Sequence, residues 1–162
     1  MITADRVREL FHYDTATGVF TRRVTTNNNG ARAGTSAAAS NGPGRHLITR
    51  IDGKKYYLHR LAWLYVHGRW PEHVIDHING DPADNRISNL RDIPQSVNMQ
   101  NQRNAKKNGS TGFLGVTRNH KRFMAQLQVG GEYHYLGTYD TPELAHAAYL
   151  TAKRELHDGC TL

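Results

Sequence analysis

Two polar stretches decide the fold of this chain: Ile75-Asp-His-Ile-Asn-Gly-Asp81 and Asp84-Asn-Arg-Ile-Ser-Asn-Leu-Arg91. Asp, Asn and His side chains stand here beside turn-forming Gly80, and the apolar pair Val74-Ile75 precedes them. An apolar pair that runs into Gly, Asn and Asp residues indicates a brief strand that ends in a turn. The segment therefore predicts a short strand followed by a loop rich in polar side chains.

Four polar residues in and just beyond this segment keep a fixed spacing. Asp76 and His77 are adjacent, Asn89 lies twelve residues after His77, and Asn98 lies twenty-one residues after it. With Asn98 included, the segment closely resembles the HNH endonuclease motif of phage and homing nucleases. The entry Tyr13-Asp-Thr-Ala-Thr-Gly-Val-Phe20 and the run beginning at His59 also resemble the N-terminal half of phage HNH proteins.

This resemblance implies a ββα-metal fold over residues of about 71–102, with a two-stranded ribbon followed by a helix. Hydrolysis of a phosphodiester needs a nucleophilic water, charge relief on the phosphoryl oxygens and a stabilised leaving oxygen, and a divalent cation supplies the last two. Asp76 and Asn98 are the implied oxygen ligands of one Mg²⁺ or Mn²⁺ ion. His77 is the implied base that takes a proton from water, and Asn89 positions it. Asn98 stands where many HNH proteins carry a final His, which leaves the preferred metal open.

Two other histidines are weaker candidates. His73 and His77 are four residues apart, which on a helix would suggest a zinc pair, but Pro71 and the Val74-Ile75 strand signal argue against a helix there. His59 begins an apolar helix, and we expect it to pack or cap this helix rather than bind a metal.

Residues 94–107 are rich in Gln, Asn, Arg and Lys and contain no Gly, which predicts a polar helix that begins at Pro94. The following segment, Asn-Gly-Ser-Thr-Gly at 108–112, predicts a hinge. We therefore expect a nuclease module at residues 1–107 and a second module at residues 113–162.

The sequence of the second module predicts strands followed by one helix. Apolar and polar residues alternate from Arg122 to Val129, which predicts a strand with one buried face. Gly130-Gly131 predicts a tight turn, and the order Thr141-Pro142-Glu143 predicts the start of a helix. The expected fold class is α+β: a ββα-metal module followed by a three-stranded antiparallel sheet that packs on one helix.

A second resemblance covers this module. Four of its segments are Phe113-Leu-Gly-Val116, Phe123-Met-Ala-Gln-Leu127, Tyr135-Leu-Gly-Thr-Tyr-Asp140 and Thr141-Pro-Glu-Leu-Ala-His-Ala-Ala-Tyr149. Together they resemble the Apetala/ethylene-response-factor DNA-binding domain. That family contacts DNA through alternate residues of its sheet. The contacts that the resemblance implies are Leu114, Thr117, Arg118, Gln126, Gln128, Tyr133 and Tyr135. By their charge, we also expect DNA contacts from Arg122 and from three basic residues of the preceding segment, Arg103, Lys106 and Lys107. We expect the exposed sheet face to be basic.

Composition agrees with a polyanion as partner. The chain of 162 residues has 21 Lys and Arg against 14 Asp and Glu, a net charge of +7, and a single cysteine, Cys160. Basic side chains that neutralise phosphates release counterions, which favours nucleic acid as the ligand. One cysteine excludes an internal disulfide framework and a cysteine-rich zinc site. No apolar run is long enough to span a membrane, so we expect a soluble protein in the cytoplasm of a bacterial or phage-infected cell.

The sequence therefore predicts a divalent-metal-dependent HNH endonuclease that cleaves double-stranded DNA, without a small-molecule cofactor, as a monomer or a dimer. A catalytically silent DNA-binding regulator on an HNH scaffold is the alternative, and an RNA-binding accessory protein is a third reading. The target site and the choice between a nick and a double-strand break stay open.

Overall fold

The computed structural model describes residues 1–25, 31–40, 42, 45–103, 105 and 110–161. The chain divides into two compact units, residues 1–95 and residues 96–162. The described residues form a mixed α+β structure with small antiparallel sheets. None of their helices is long and apolar enough to cross a membrane.

The first unit is built from short hairpins, two α-helices and one short 3-10 helix. In chain order its elements are α1 (Ala4–Leu10), β1 (Phe11–Tyr13), β2 (Phe20–Arg22), β3 (Ile48–Ile51), β4 (Lys54–Tyr57), α2 (Leu58–His67), β5 (Val74–His77), the 3-10 helix (Ile87–Asn89) and β6 (Leu90–Ile93). The pairs β1-β2, β3-β4 and β5-β6 are separate two-stranded antiparallel ribbons.

Local sequence signals set the ends of these elements. The Thr3 hydroxyl accepts a hydrogen bond from the Arg6 amide and caps α1. Asp52 and Gly53 both adopt positive φ angles, 49° and 76°, which form the tight turn between β3 and β4. Gly68 ends α2 with a left-handed conformation and donates its amide to the Leu64 carbonyl.

One hydrophobic core holds the first unit together and supports the β5-β6 ribbon. Phe20 is 1% exposed and stacks on Tyr13 with ring centroids 4.5 Å apart. Leu61 on α2 is fully buried, and Ile75 of β5 and Leu90 of β6 belong to the same cluster. Burial of an aliphatic or aromatic side chain is worth about 1.5–3 kcal/mol, so this core fixes the ribbon against α2.

The second unit is a three-stranded antiparallel sheet covered by one long helix. Its elements are α3 (Gln95–Gln100, whose first residue belongs to the first unit), β7 (Val116–Asn119), β8 (Arg122–Val129), β9 (Glu132–Tyr139) and α4 (Pro142–Leu156), and the strand order is β7-β8-β9. This confirms the sheet and the single covering helix that the sequence predicts.

Helix α4 packs on the inner face of the sheet. Ala125 and Leu127 of β8 and Ala145 of α4 are almost fully buried. Gly115 precedes β7 with φ +73°, and a Cβ atom at this position would lie 1.9 Å from the ring of Tyr149 on α4. Glycine is therefore required at residue 115 for both its backbone conformation and its close contact with the helix.

Helix α3 is shorter than the sequence predicts. The predicted helix runs from Pro94 to about Lys107, whereas α3 ends at Gln100. The Asn101 amide bonds the Asn98 carbonyl at 3.0 Å, a tight turn that ends the helix, and the Asn101 side chain accepts a hydrogen bond from Thr161. Residues 106–109, which include Lys106, Lys107 and part of the predicted hinge, lie outside the described residues.

Candidate HNH site

The β5-β6 ribbon places Asp76 and His77 on opposite faces. Asp76 pairs in register with Arg91, and His77 pairs with Leu90. Successive residues of a strand point to opposite sides, so the two adjacent side chains face different surroundings. Both are buried, at 7% and 4% exposure.

On one face, Asp76 binds Arg91 across the ribbon. The Arg91 Nε and Nη2 atoms donate to the same carboxylate oxygen, Oδ2, at 2.8 and 2.7 Å. The pair neutralises a carboxylate that is 7% exposed. The predicted role of Asp76 as a metal ligand stays a prediction, and any ion there would share the carboxylate with Arg91.

The loop between the strands is held by Asn89. Its Oδ1 atom accepts the Asn79 amide at 2.9 Å, and its Nδ2 group donates to the Asp84 carbonyl at 2.9 Å and to Asn79 Oδ1 at 3.0 Å. The Asn89 carbonyl accepts the Ile78 amide at 2.9 Å. Asn89 thus fixes the backbone that directly follows His77.

Asp84 adds a second constraint to the loop. Its carboxylate accepts from Arg86 Nε at 2.8 Å and Nη2 at 2.6 Å, and from Asn79 Nδ2 at 2.7 Å. The hydrogen bond from Arg86 is the main cause that lowers the pKa of Asp84 to about 2. The loop therefore carries a firmly ionised carboxylate at neutral pH.

On the other face, His77 contacts Asn85. The His77 Nε2 atom lies 3.4 Å from Asn85 Oδ1, an amide oxygen that only accepts, so this ring nitrogen carries the proton. Burial lowers the pKa of His77, and the hydrogen bond to Asn85 opposes that shift. The imidazole is accordingly neutral at pH 7 and has one basic nitrogen.

Two further histidines lie against His77. The ring centroid of His46 is 5.2 Å from that of His77 and 4.5 Å from that of His59, and the His59 and His77 centroids are 5.3 Å apart. One ring nitrogen from each residue lies within 4.8 Å of one from each of the others. The sequence singled out neither His46 nor this cluster, because its members stand on three separate segments that only the fold brings together.

His59 and His77 of this cluster are buried, His46 is half-buried, and two of the ring nitrogens lack hydrogen-bond partners among the described residues. Burial lowers the pKa of His59 to about 3, with further lowering from nearby His46, His77 and Arg60. Burial also lowers the pKa of His46, opposed by a hydrogen bond to the Pro82 carbonyl. The Nδ1 atoms of His46 and His59 are buried without a hydrogen-bond partner among the described residues. His59 is buried in the first turn of α2, as predicted, and its Nδ1 atom lacks a hydrogen-bond partner among the described residues.

Comparison with known proteins assigns this region. A family model described as HNH endonuclease matches residues 56–100. Protein 3.8 of Escherichia phage T7 is 31% identical over 102 residues, which cover 61% of this chain and 83% of that protein. The chain belongs to the family of this phage protein and carries an HNH endonuclease domain. An uncharacterized HNH endonuclease of Acanthamoeba polyphaga mimivirus is 43% identical over 53 residues, 31% of this chain. The chain spans only 13% of that relative's length. No solved structure matches significantly.

The last residue of the HNH motif lies in the second unit. Asn98 stands on α3, within the matched region, and its predicted role as a metal ligand stays a prediction. Arg103, a predicted DNA contact, donates from Nη2 to the carbonyl and the hydroxyl of Thr161 at 2.9 and 2.6 Å. Its guanidinium is thus partly engaged within its own unit.

The sheet C-terminal to the HNH domain presents a polar and aromatic outer face. Register pairs Gln126 with Tyr135 and Gln128 with Tyr133, so these four side chains share the face that points away from α4. Tyr133 and Tyr135 are 70% and 66% exposed. Thr117 lies on the same face, since it pairs with outward-facing Met124.

This outer face is less basic than the sequence predicts. Arg118 pairs in register with Phe123, which packs against the core, and its guanidinium lies 5.9 Å from the centre of that ring, so Arg118 lies on the helix side of the sheet. Arg122 does face outward, but its Nε atom binds Asp140 at 2.9 Å. Leu114 packs partly buried against the core of the second unit. The expected basic face is therefore an amide and tyrosine face.

Proposed function

We propose that this protein is a metal-dependent HNH endonuclease that hydrolyses phosphodiester bonds of duplex DNA. The proposal rests on His77, which is a buried, neutral imidazole at the end of β5. The loop that follows His77 is fixed by four hydrogen bonds of Asn89. These residues lie inside the region that matches the HNH endonuclease family.

In this proposal His77 is the general base. A neutral imidazole accepts a proton from an attacking water, and such help is worth about 10²–10⁴ in rate. Asn85 accepts a hydrogen bond from the protonated Nε2 atom, so the basic nitrogen of the ring is Nδ1, which would accept the proton of the water. Asn89 positions His77 through the backbone of the loop and not through the ring.

We propose Asp76 and Asn98 as the oxygen ligands of one Mg²⁺ or Mn²⁺ ion. A carboxylate and an amide are the donors that these hard cations accept, which is how the residues fit the ion. When bound, the ion supplies charge relief on the phosphoryl oxygens and on the leaving oxygen. Arg91 offsets the charge of Asp76.

We propose the outer face of the second unit's sheet as the DNA reader. Its exposed tyrosines and glutamines, listed above, offer hydrogen bonds to base edges, sugars and phosphates. The resemblance to the Apetala/ethylene-response-factor domain supports a sheet as the contacting element. A phage relative is consistent with action in the cytoplasm of an infected bacterium.

Cleavage of supercoiled plasmid tests the proposal. The purified protein is incubated with Mg²⁺, Mn²⁺ or EDTA beside the variants His77→Ala and His73→Ala, and open-circular and linear products are followed over time. We expect metal-dependent cleavage that His77→Ala reduces at least 100-fold and that His73→Ala, at an exposed histidine outside the loop, leaves unchanged. Full DNA binding without cleavage would overturn the nuclease and favour the silent regulator.

A further inference from the structure

Two of the three clustered histidines have no part in the proposed cleavage. His46 precedes β3, His59 lies in the first turn of α2, and His77 ends β5. Their side chains converge from three segments of the first unit, with mutual ring distances of 4.5–5.3 Å. Such a convergence of imidazoles in a protein interior needs a physical reason.

The unsatisfied ring nitrogens of this cluster supply such a reason. The Nδ1 atoms of His46 and His59 are buried and find no hydrogen-bond partner among the described residues. Buried polar atoms are nearly always satisfied, and an exception calls for an explanation, of which a bound ion is one. The His46 ring is bonded to the Pro82 carbonyl, and His77 Nε2 lies against Asn85 Oδ1. A carbonyl or amide acceptor behind the ring is the usual support of a metal-ligating histidine.

We propose that His46, His59 and His77 bind one Zn²⁺ ion, and that this ion switches the nuclease off. Imidazole nitrogens suit Zn²⁺ and related transition metals, whereas Mg²⁺ demands oxygen ligands, so the cluster is distinct from the proposed Mg²⁺ ligands Asp76 and Asn98. Three nitrogens at Zn–N distances of about 2.05 Å lie about 3.3 Å apart in a tetrahedral site. The nitrogens here lie within 4.8 Å of one another, a gap that small ring rotations close.

The switch follows from the double use of His77 and rests on the proposed function. A nitrogen lone pair that binds zinc cannot accept a proton from water. Zinc held by His46 and His59 therefore removes the base by direct ligation, while Asp76, on the opposite face of the ribbon, keeps its own partner Arg91.

Titration with Co²⁺ tests the site without any DNA. The metal-free full chain is titrated with Co²⁺, a coloured stand-in for Zn²⁺, and the visible absorbance of a four-coordinate ion is recorded; Zn²⁺ then displaces it. We expect one ion per chain, at least 100-fold weaker binding in His46→Ala, and unchanged binding in His73→Ala. His46 is only half-buried, so its variant should fold, which far-UV circular dichroism checks. If His46→Ala fails to fold, His46→Gln, which keeps the side-chain bulk, takes its place.

Absence of Co²⁺ and Zn²⁺ binding to the wild-type chain, or equal binding by the His46 variant, would overturn the site. Plasmid cleavage in Mg²⁺ with added Zn²⁺ then tests the switch. We expect half-inhibition at the Zn²⁺ concentration that half-fills the site, and at least tenfold lower sensitivity in His46→Ala relative to its own zinc-free rate. Zinc binding with undiminished cleavage would overturn the switch alone. A chain that never cleaves refutes the proposed function and the switch with it, whereas the Co²⁺ titration still decides the site.

Discussion

Arg91 donates two hydrogen bonds to one oxygen of Asp76 across the β5-β6 ribbon. Replacement of Arg91 by Ala should lower the free energy of unfolding by about 3 kcal/mol, because it leaves a carboxylate buried without its counter-charge. Urea unfolding at pH 7 measures the change. Arg91→Lys, which keeps the charge but not the double contact, should lose less than half as much. An Arg91→Ala variant as stable as the wild type would show that the ion pair contributes nothing.

The loop held by Asn89 makes a second prediction. Asn89→Ala removes three side-chain hydrogen bonds and leaves the Asn79 amide and the Asp84 carbonyl without them. These hydrogen bonds are only partly buried, and each is worth about 0.5–1.5 kcal/mol, so the first unit should lose about 1–3 kcal/mol.

Cleavage should fall at least tenfold even where the Asn89→Ala variant is fully folded, because the loop no longer fixes the backbone after His77. Asn79→Ala is the matched control, since it removes the side-chain bonds of Asn79 to Asn89, Asp84 and the Asp81 amide but keeps the backbone amide that Asn89 binds. Equal activity of Asn89→Ala and wild type would remove Asn89 from the positioning role.

Asp84 makes the stability of the loop depend on pH. Its pKa is about 2 in the fold and near 3.8 in the unfolded chain, so its stabilising effect is complete above pH 4 and disappears as the pH falls through 2. Asp84→Asn should lower the free energy of unfolding by about 1–2 kcal/mol at pH 7, because Arg86 and Asn79 lose a charged acceptor.

The difference between Asp84→Asn and wild type should shrink below pH 4 and vanish only below pH 2. Unfolding in guanidinium chloride at a series of pH values measures it, and a difference that stays constant from pH 7 to pH 2 would contradict the shifted pKa. Asp81→Asn, at a carboxylate without an ion pair among the described residues, serves as the control.

The sequence predicted the features that depend on neighbouring residues, but not those that depend on packing or on strand pairing. The β5 strand and the helix start at Thr141 depend on neighbouring residues, so local patterns were sufficient to predict them. The His46–His59 contact joins residues thirteen positions apart through the packing of α2, and no local pattern encodes such packing. The face of Arg118 depends on which residue of β8 it pairs with, and a shift by one residue reverses every side chain of a strand.

The outer sheet face carries the last prediction. Tyr133 and Tyr135 are its most exposed aromatic side chains and contribute no charge. Replacing both with Ala should weaken binding to duplex DNA about tenfold or more, because contacts of about 1 kcal/mol or more per side chain are lost, while the slope of affinity against salt stays the same.

Arg122→Ala should instead reduce that slope by about one, since it removes a cation from the same face. Fluorescence anisotropy at several salt concentrations separates the two effects, and Leu144→Ala, at an exposed apolar residue of α4 on the opposite side of the sheet, is the control for general surface changes. A double tyrosine variant that binds as tightly as the wild type would move DNA recognition away from this face. A salt slope that Arg122→Ala leaves unchanged would mean that Asp140 keeps this arginine from the phosphates.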